Sequence, residues 1–371
     1  MIKILYVTGT RAEYGVMYQI LKLIDKNPLF DLMLIVTGMH ISKLYGNTID
    51  DIRKDGFKIV SVVDMGIEDD MADSFGKCYC GVSQALKDNN PDIILLEGDR
   101  GEMLAAAIAS AHLNIPVVHI SGGDVSGSID NSIRKAITCF AHIHLVNTDL
   151  SMNRLLKAGE KSWRVKMVGS LGLDMNFEKL ESSSKIASEF DVDLSKPLLL
   201  VLQHPVTGEM LESRDQMKST LDSIVSLKHQ TILIYPNSDA GNARMIDVIE
   251  KYRKYSFIKI YKTLPRRKFL SILSITNVMI GNSSAGLVEA PIFNVPVINI
   301  GTRQVGRERA SNIFDVSYDS SKIIQKINEV LFYSKTKKFI TPYENRNTAH
   351  LIVKELTNLE INKKLLNKYG D

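Results

Sequence analysis

At 371 residues the chain exceeds what one hydrophobic core ordinarily fills, so two domains are expected. Its 44% hydrophobic and 24% charged residues exclude a disordered or fibrous chain. A net charge of +4, with basic residues scattered apart from short clusters such as Arg266-Arg267-Lys268, argues against a nucleic-acid binder and suits an anionic small molecule.

The first residues, MIKILYVTGTRAEYG, lack the apolar region and cleavage site of a signal peptide, and no apolar run approaches the ~20 residues of a membrane helix. With three cysteines (Cys78, Cys80 and Cys139) at no metal-binding spacing, the chain reads as cytoplasmic, with reduced thiols and no membrane partner.

Ile2 to Val7 is a continuous apolar run suited to a strand buried on both faces, followed by Thr8-Gly9-Thr10-Arg11 and a helical pattern. A strand feeding a glycine loop and a helix is a common anion seat. Without GxGxxG or a Walker lysine, nicotinamide and P-loop readings lack support. Arg11 is a candidate for a diphosphate, with a surface ion pair as the plain alternative. Leu32 to Val36 repeats the pattern and ends near His40, whose place past a strand end favours ligand binding over a packed histidine. Lys58 to Val63 is a further strand, residues 64–76 read as an acidic loop able to move over a site, and 77–89 as a helix.

The densest chemistry lies between Leu95 and Lys135. One apolar run ends in Glu97-Gly98-Asp99-Arg100, a helical pattern follows to about Leu113, and Ile115 to Ile120 ends in a glycine-rich loop carrying Asp124 and Asp130. This is a βαβ unit with its charges at the strands' carboxyl ends, where open parallel sheets hold ligands. Each carboxylate alone could be a helix cap or a solvated loop charge; with Glu102 and Arg100 they read together as a site. His119 is ambiguous, while His142 and His144 read as packed. Ile143 to Val146 and Met152 to Ala158 add another strand and helix.

Periodicity weakens between Gly169 and Lys196, then strand–helix alternation restarts. Leu198 to Leu202 ends at His204, a candidate general acid or donor to a leaving phosphate. Thr231 to Tyr235 ends near Asn237 and Asp239, which suit a base or sugar as well as a loop cap. Val278 to Ile280 runs into Gly281-Asn282-Ser283-Ser284-Ala285-Gly286, a phosphate signal in which small residues admit an anion and the hydroxyls can donate to it; a plain serine N-cap is the alternative. Glu289 is placed on the following helix, where it could accept ribose hydroxyls, and Arg303 and Arg307 follow the strand Val295 to Ile300. The expected organisation is an N-terminal domain over 1–170, a boundary segment over 171–196, a C-terminal domain over 197–342, and a helical segment over 343–371 bracing the two. The fold class is α/β: two Rossmann-like, doubly wound domains of GT-B type with a ligand in the interdomain cleft.

TGTRAEYG, VTGMH, GDR, HI-x-GG-x-x-SG-x-x-D, HPVT, YPN-x-D, GNSSAG-x-x-E and GTRQ occur in this order over roughly residues 4–307. The ordered set resembles the hydrolysing UDP-N-acetylglucosamine 2-epimerases of sialic-acid and related nonulosonate biosynthesis. The resemblance implies a GT-B fold, no cofactor, a homodimer or homotetramer, and release of UDP with the free 2-epimeric sugar. A base takes the C2 proton as UDP leaves C1, and water adds to the resulting glycal.

By resemblance Asp99 and Asp130 belong to the acid/base set, and Arg100 and His204 sit by the diphosphate or sugar. Arg11, Ser283, Ser284 and Glu289 hold UDP, with Arg303 nearby. Two positions depart from the family pattern: Ser121 stands where a catalytic glutamate is usual, and Lys135 where a histidine often follows the arginine. Either Asp124 or Asp130 covers the missing role, the substrate differs, or activity is low or absent. GDRGEML looks like the relatives acting on UDP-N,N'-diacetylbacillosamine for legionaminic acid. A GT-B glycosyltransferase, a non-hydrolysing epimerase and a non-catalytic UDP-sugar binding protein remain as other classes.

Overall fold

A computed structural model of the protein describes residues 1–66, 70–173, 180–331, 338–344 and 346–368. The chain divides into two compact units. One comprises Met1–Asp124, Asp130–Phe177 and Tyr343–Asp371, the other Val125–Ile129 and Glu178–Pro342.

The first unit is built on a seven-stranded parallel sheet: β1 (Ile2–Thr8), β2 (Phe30–Thr37), β3 (Ile59–Val63), β4 (Ile93–Glu97), β5 (Val117–Ile120), β6 (Ile143–Val146) and β7 (Val165–Met167). They lie in the order β3-β2-β1-β4-β5-β6-β7. Alternation along each strand shows why it is a sheet buried on both faces. Ile4 and Tyr6 of β1, with Ile93 and Leu95 of β4, pack into one apolar cluster; Leu5, Val7, Ile94 and Leu96 pack into the other.

The second unit repeats the design with β8 (Leu198–Leu202), β9 (Gln230–Ile234), β10 (Ile258–Tyr261), β11 (Val278–Gly281), β12 (Val297–Ile300) and β13 (Ile313–Val316), in the order β10-β9-β8-β11-β12-β13. In both sheets the order reverses beside the first strand, between β1 and β4 and between β8 and β11. That is the position at which a doubly wound sheet opens a crevice at its carboxyl edge.

Several elements differ from the sequence expectation. Residues 64–76 are not all loop: a helix runs Met71–Asn89, with the Asp70 carboxylate accepting from the Ala72 and Asp73 N–H groups. The part of that expectation on 67–69 lies outside the described residues, as do 174–179 of the boundary segment. The remainder of that segment carries the helix Ser183–Phe190, whose Ile186 and Phe190 enter the second unit's core. Asp130 is not in a loop but in the first turn of the helix Ile129–Phe140.

The chain's final described segment lies in the first unit's core, to which it contributes Ala349, Ile352, Leu356 and Leu365. Arg164, 1% exposed, holds it there. Its guanidinium donates to the backbone carbonyls of His142 (2.9 Å), Leu365 (3.0 Å), Lys364 (3.2 Å) and Asn367 (3.0 Å), and stacks on the Trp163 ring at 4.2 Å. Because Arg164→Met would leave buried carbonyls without donors, it is expected to lower unfolding free energy by roughly 3 kcal/mol. Denaturant titration measures this, and limited proteolysis should cut first within 346–368.

Candidate active site

In the first unit, Gly98, at a φ of 82°, turns the chain off β4, and Arg100 caps the helix Gly101–His112. The buried His119 imidazole donates from Nε2 to the Gly98 carbonyl at 2.7 Å, pinning this turn from the neighbouring strand. Burial lowers the His119 pKa to about 3, so the ring is neutral.

The Asp99 carboxylate is ion-paired with Arg134, which is 3% exposed and also donates to the Asp124 carbonyl at 3.2 Å. The Asp124 carboxylate, itself buried, accepts from Ser151 Oγ at 2.6 Å and from Asn147 Nδ2 at 3.3 Å. Asp130 lies one helical turn before Arg134, hence on the same helix face. Ser121, with φ of 64°, donates to Glu97 Oε1 at 3.0 Å. Arg100 Nε lies 2.8 Å from Oε1 of the buried Glu102. Asp99, Arg100, Asp124 and Asp130 are thus gathered where β4 and β5 end.

The loop after β1 is organised by Glu13. Thr10 caps the helix Arg11–Asp25 and forms a capping box with it, while the Glu13 carboxyl also accepts from the Tyr6 and Thr8 hydroxyls and the Gly9 N–H. Burial first, and then the charge of Glu97, raises the Glu13 pKa well above the ordinary value. Gly9 leaves room for Glu102, since a Cβ would lie 2.1 Å from Glu102 Oε1 and the buried Glu102 side chain would have to shift.

Arg11 pairs with Asp51 at 2.9 Å and keeps 17% side-chain exposure. His40 departs from its expected role. It is fully buried, with Nε2 3.0 Å from the Thr8 hydroxyl and Nδ1 2.7 Å from the Thr48 hydroxyl, so both ring nitrogens are committed inside the protein. Burial, and next the Arg11 charge, lower its pKa to about 3. It sits past the strand end as expected, but the short helix Gly38–Ile41 folds it inward.

In the second unit the ends of β8 and β11 are locked together. The His204 N–H donates to Asn282 Oδ1 at 2.7 Å, and Asn282 Nδ2 returns a bond to the His204 carbonyl at 2.9 Å. Gly281, with φ of 130°, permits this approach: a Cβ there would lie 2.1 Å from the Leu202 carbonyl oxygen. The Asn237 N–H donates to His204 Nδ1 at 3.0 Å, so the neutral ring carries its proton on Nε2. Asn237 also donates from its amide to Asp239 at 2.6 Å.

Ser284 caps a single helical turn, Ala285–Val288, rather than the longer helix expected, and Ser283 Oγ accepts from the Ala285 N–H at 3.4 Å. Pro291 lies in the first turn of a tighter helix, Ala290–Phe293, so Glu289 falls at the joint between the two, where Arg266 pairs with it at 2.8 Å. Arg303 Nη1 and Gln304 Nε2 donate to the Asn282 carbonyl at 3.3 and 2.7 Å. His204, Asn237, Ser283, Ser284 and Arg303 therefore surround one carboxyl edge, with Glu289 just beyond.

Sequence reasoning missed Asn147 and Ser151 and gave no role of their own to Arg134, Asn282 and Arg266. Arg134 left a signal in its spacing of one helical turn from Asp130, and Asn282 in its place within the Gly281–Gly286 string; Asn147, Ser151 and Arg266 meet their partners through tertiary structure.

Known proteins resemble this chain along most of its length. A family model described as UDP-N-acetylglucosamine 2-epimerase matches residues 22–357. A UDP-N,N'-diacetylbacillosamine 2-epimerase (hydrolyzing) of Legionella pneumophila is 38% identical over 371 residues, covering 99% of this chain and 98% of the relative. A UDP-N-acetylglucosamine 2-epimerase of Neisseria meningitidis serogroup B is 33% identical, covering 90% and 88%. The Methanocaldococcus jannaschii UDP-GlcNAc 2-epimerase, solved with UDP-GlcNAc and UDP, superposes with a TM-score of 0.79 at 19% identity, covering 96% of this chain and 99% of that one. This likeness shows a GT-B-type fold of two Rossmann-like domains.

Burial holds several first-unit histidines neutral. His40 and His119 are lowered to about 3, His142 to about 4, and His144 is also lowered. In the unfolded chain each would take a proton near its ordinary value of 6.5. Stability present above that pH is therefore lost as pH falls toward the folded values, by about 1.4 kcal/mol per pH unit for each histidine. Denaturant unfolding at pH 7.5 and 5.5, round figures at about one unit on either side of that value, should show the loss. His119→Gln should reduce the slope by one histidine's share.

Proposed function

The chain belongs to the UDP-N-acetylglucosamine 2-epimerase family, and from that premise we propose that it is a hydrolysing epimerase acting on a UDP-2-acetamido sugar. UDP-N,N'-diacetylbacillosamine is the favoured substrate, because the relative named for it is similar over nearly the whole chain. UDP-N-acetylglucosamine is the second reading, favoured by the likeness to the Neisseria meningitidis enzyme. The products are UDP and a free sugar inverted at C2, feeding nonulosonate synthesis of the legionaminic- or sialic-acid type.

In this reaction a carboxylate takes the C2 proton while UDP leaves C1 with the bonding electrons, giving a glycal. Water then adds across the double bond with the opposite C2 configuration. Asp99, Asp124 and Asp130 form the acid/base set. Arg100 and His204 Nε2–H meet the negative charge developing on the departing diphosphate. Ser283, Ser284 and Arg303 bind phosphate, Glu289 accepts ribose hydroxyls, and Arg11 and Asn237 contribute further contacts. His40 is assigned to support of the first loop, its nitrogens being taken by Thr8 and Thr48. The observation supporting this reading most strongly is the gathering of Asp99 and the Asp124 backbone on the buried Arg134. The reading includes a homodimer or homotetramer in the cytoplasm.

Proton NMR in D2O, with each substrate in parallel, tests the reading. Free UDP plus a 2-epimeric sugar deuterated at C2 is expected, and the faster substrate identifies the sugar. UDP binding without turnover of either would indicate a binding protein. Among Asp99→Asn, Asp124→Asn and Asp130→Asn, at least one should lose turnover by about a hundredfold or more while keeping UDP affinity. Full activity in all three would remove these carboxylates from the mechanism.

A further inference from the structure

Epimerisation through a glycal needs two proton carriers, because the proton removed from C2 and the one returned approach opposite faces of the ring. The carboxyl edge of the first sheet holds two carboxylates on either side of Gly98, and they are held differently. Asp99 is bound by the Arg134 guanidinium, a donor only, which serves the ionised carboxylate. Glu97 is bound by the Ser121 hydroxyl at 3.0 Å. A hydroxyl can donate to a carboxylate and, after turning, accept from a carboxylic acid, so it serves both protonation states.

The local backbone is shaped to make this contact. Glu97 is paired in register with Ile120, which leaves Ser121 as the next residue past the strand end. Ser121 adopts a φ of 64°, a conformation that non-glycine residues occupy at a cost of roughly 1 kcal/mol or more. Asn147 Oδ1, the other acceptor for its proton, is more distant at 3.4 Å. The Asn147 amide is directed at Asp124 Oδ2, at 3.3 Å.

We propose that Glu97 is the proton donor that completes C2 inversion, with Ser121 as its positioning residue, an assignment that rests on the epimerase reading above. In the first half-reaction Asp99 takes the C2 proton, the C1–O bond breaks, and its electron pair leaves on UDP as the C1=C2 bond forms. In the second, the Glu97 carboxyl gives its proton to C2 from the opposite face as the water oxygen bonds C1. Glu97 takes the proton it gives from solvent once UDP has left and ends as a carboxylate, one water proton and the Asp99 proton pass to solvent, and the other water proton stays on the C1 hydroxyl.

The experiment is quenched-flow analysis of Glu97→Gln, following UDP, glycal and free sugar separately, with wild-type protein alongside. The expected result is UDP release in the first turnover, accumulation of the glycal, and sugar formation slowed by about a hundredfold. UDP affinity and melting temperature should be unchanged. Placing a carboxylate a few ångströms away, in Glu97→Gln/Ser121→Glu, should recover at least tenfold of that loss. Retention of more than half the wild-type rate by Glu97→Gln, or parallel loss of UDP and sugar formation, overturns the proposal. If that variant does not fold, Ser121→Ala decides. A fall in kcat of about tenfold at constant KM supports the assignment, and an unchanged kcat overturns it. Failure of the wild-type protein to release UDP from either sugar nucleotide would instead remove the epimerase reading.

Discussion

A parallel strand covered by helices on both faces has no place for a charge except where it stops. β4, β5, β8 and β11, and β1 from Ile4 onward, keep that constraint: their side chains are almost wholly apolar and buried until the last residue or two. The polar groups then arrive together, as Thr8-Gly9-Thr10, Glu97-Gly98-Asp99, Ser121-Gly122-Gly123, Gln203-His204 and Asn282-Ser283-Ser284. Reversal of strand order beside β1 and beside β8 adds a crevice at each of these edges. Two units with one architecture thus present different chemistry from corresponding positions. One gathers carboxylates, the other a histidine, amides, hydroxyls and an arginine.

What separates the acidic groups from one another is the partner that each one has. Asp99 faces a guanidinium, Asp124 a hydroxyl and an amide, Glu97 a hydroxyl, and Glu102 the Arg100 side chain. Glu13 is buried beneath the first loop, and its raised pKa reflects that burial together with the nearby Glu97 charge. A set of like groups in unlike surroundings is what a reaction needs when protons are both taken and given. On the second edge, the Asn237 N–H occupies His204 Nδ1 and leaves Nε2 to carry the proton of the neutral ring.

The central strands were legible in the sequence because double-sided burial writes an unbroken apolar run. β7, β10 and β13, which went unread, are all at sheet edges. There Lys166, Lys259 and Asp315 interrupt the pattern, as one exposed side permits. Asp130 was legible as a site residue but not as a helical one, since the glycine-rich approach masks the helix start. His40 shows the limit of placing function by distance from a strand end: a single turn of tight helix decides whether the ring faces outward or inward. The partners of Arg134 and Asn282, each central to its edge, could not be read locally, because they are brought near only by the fold.

The packing of Ile352, Leu356 and Leu365 into the first unit has a consequence for the order of events on the ribosome. Most of the second unit is one continuous stretch, and it emerges whole while the first sheet still lacks part of its cover. The usual N-terminal-first sequence of domain folding is therefore reversed in its final step. The nascent first unit must keep an apolar sheet face waiting through the synthesis of an entire second domain, and Arg164, already able to reach the His142 carbonyl, cannot complete its hydrogen bonds until residues 364–367 have left the exit tunnel.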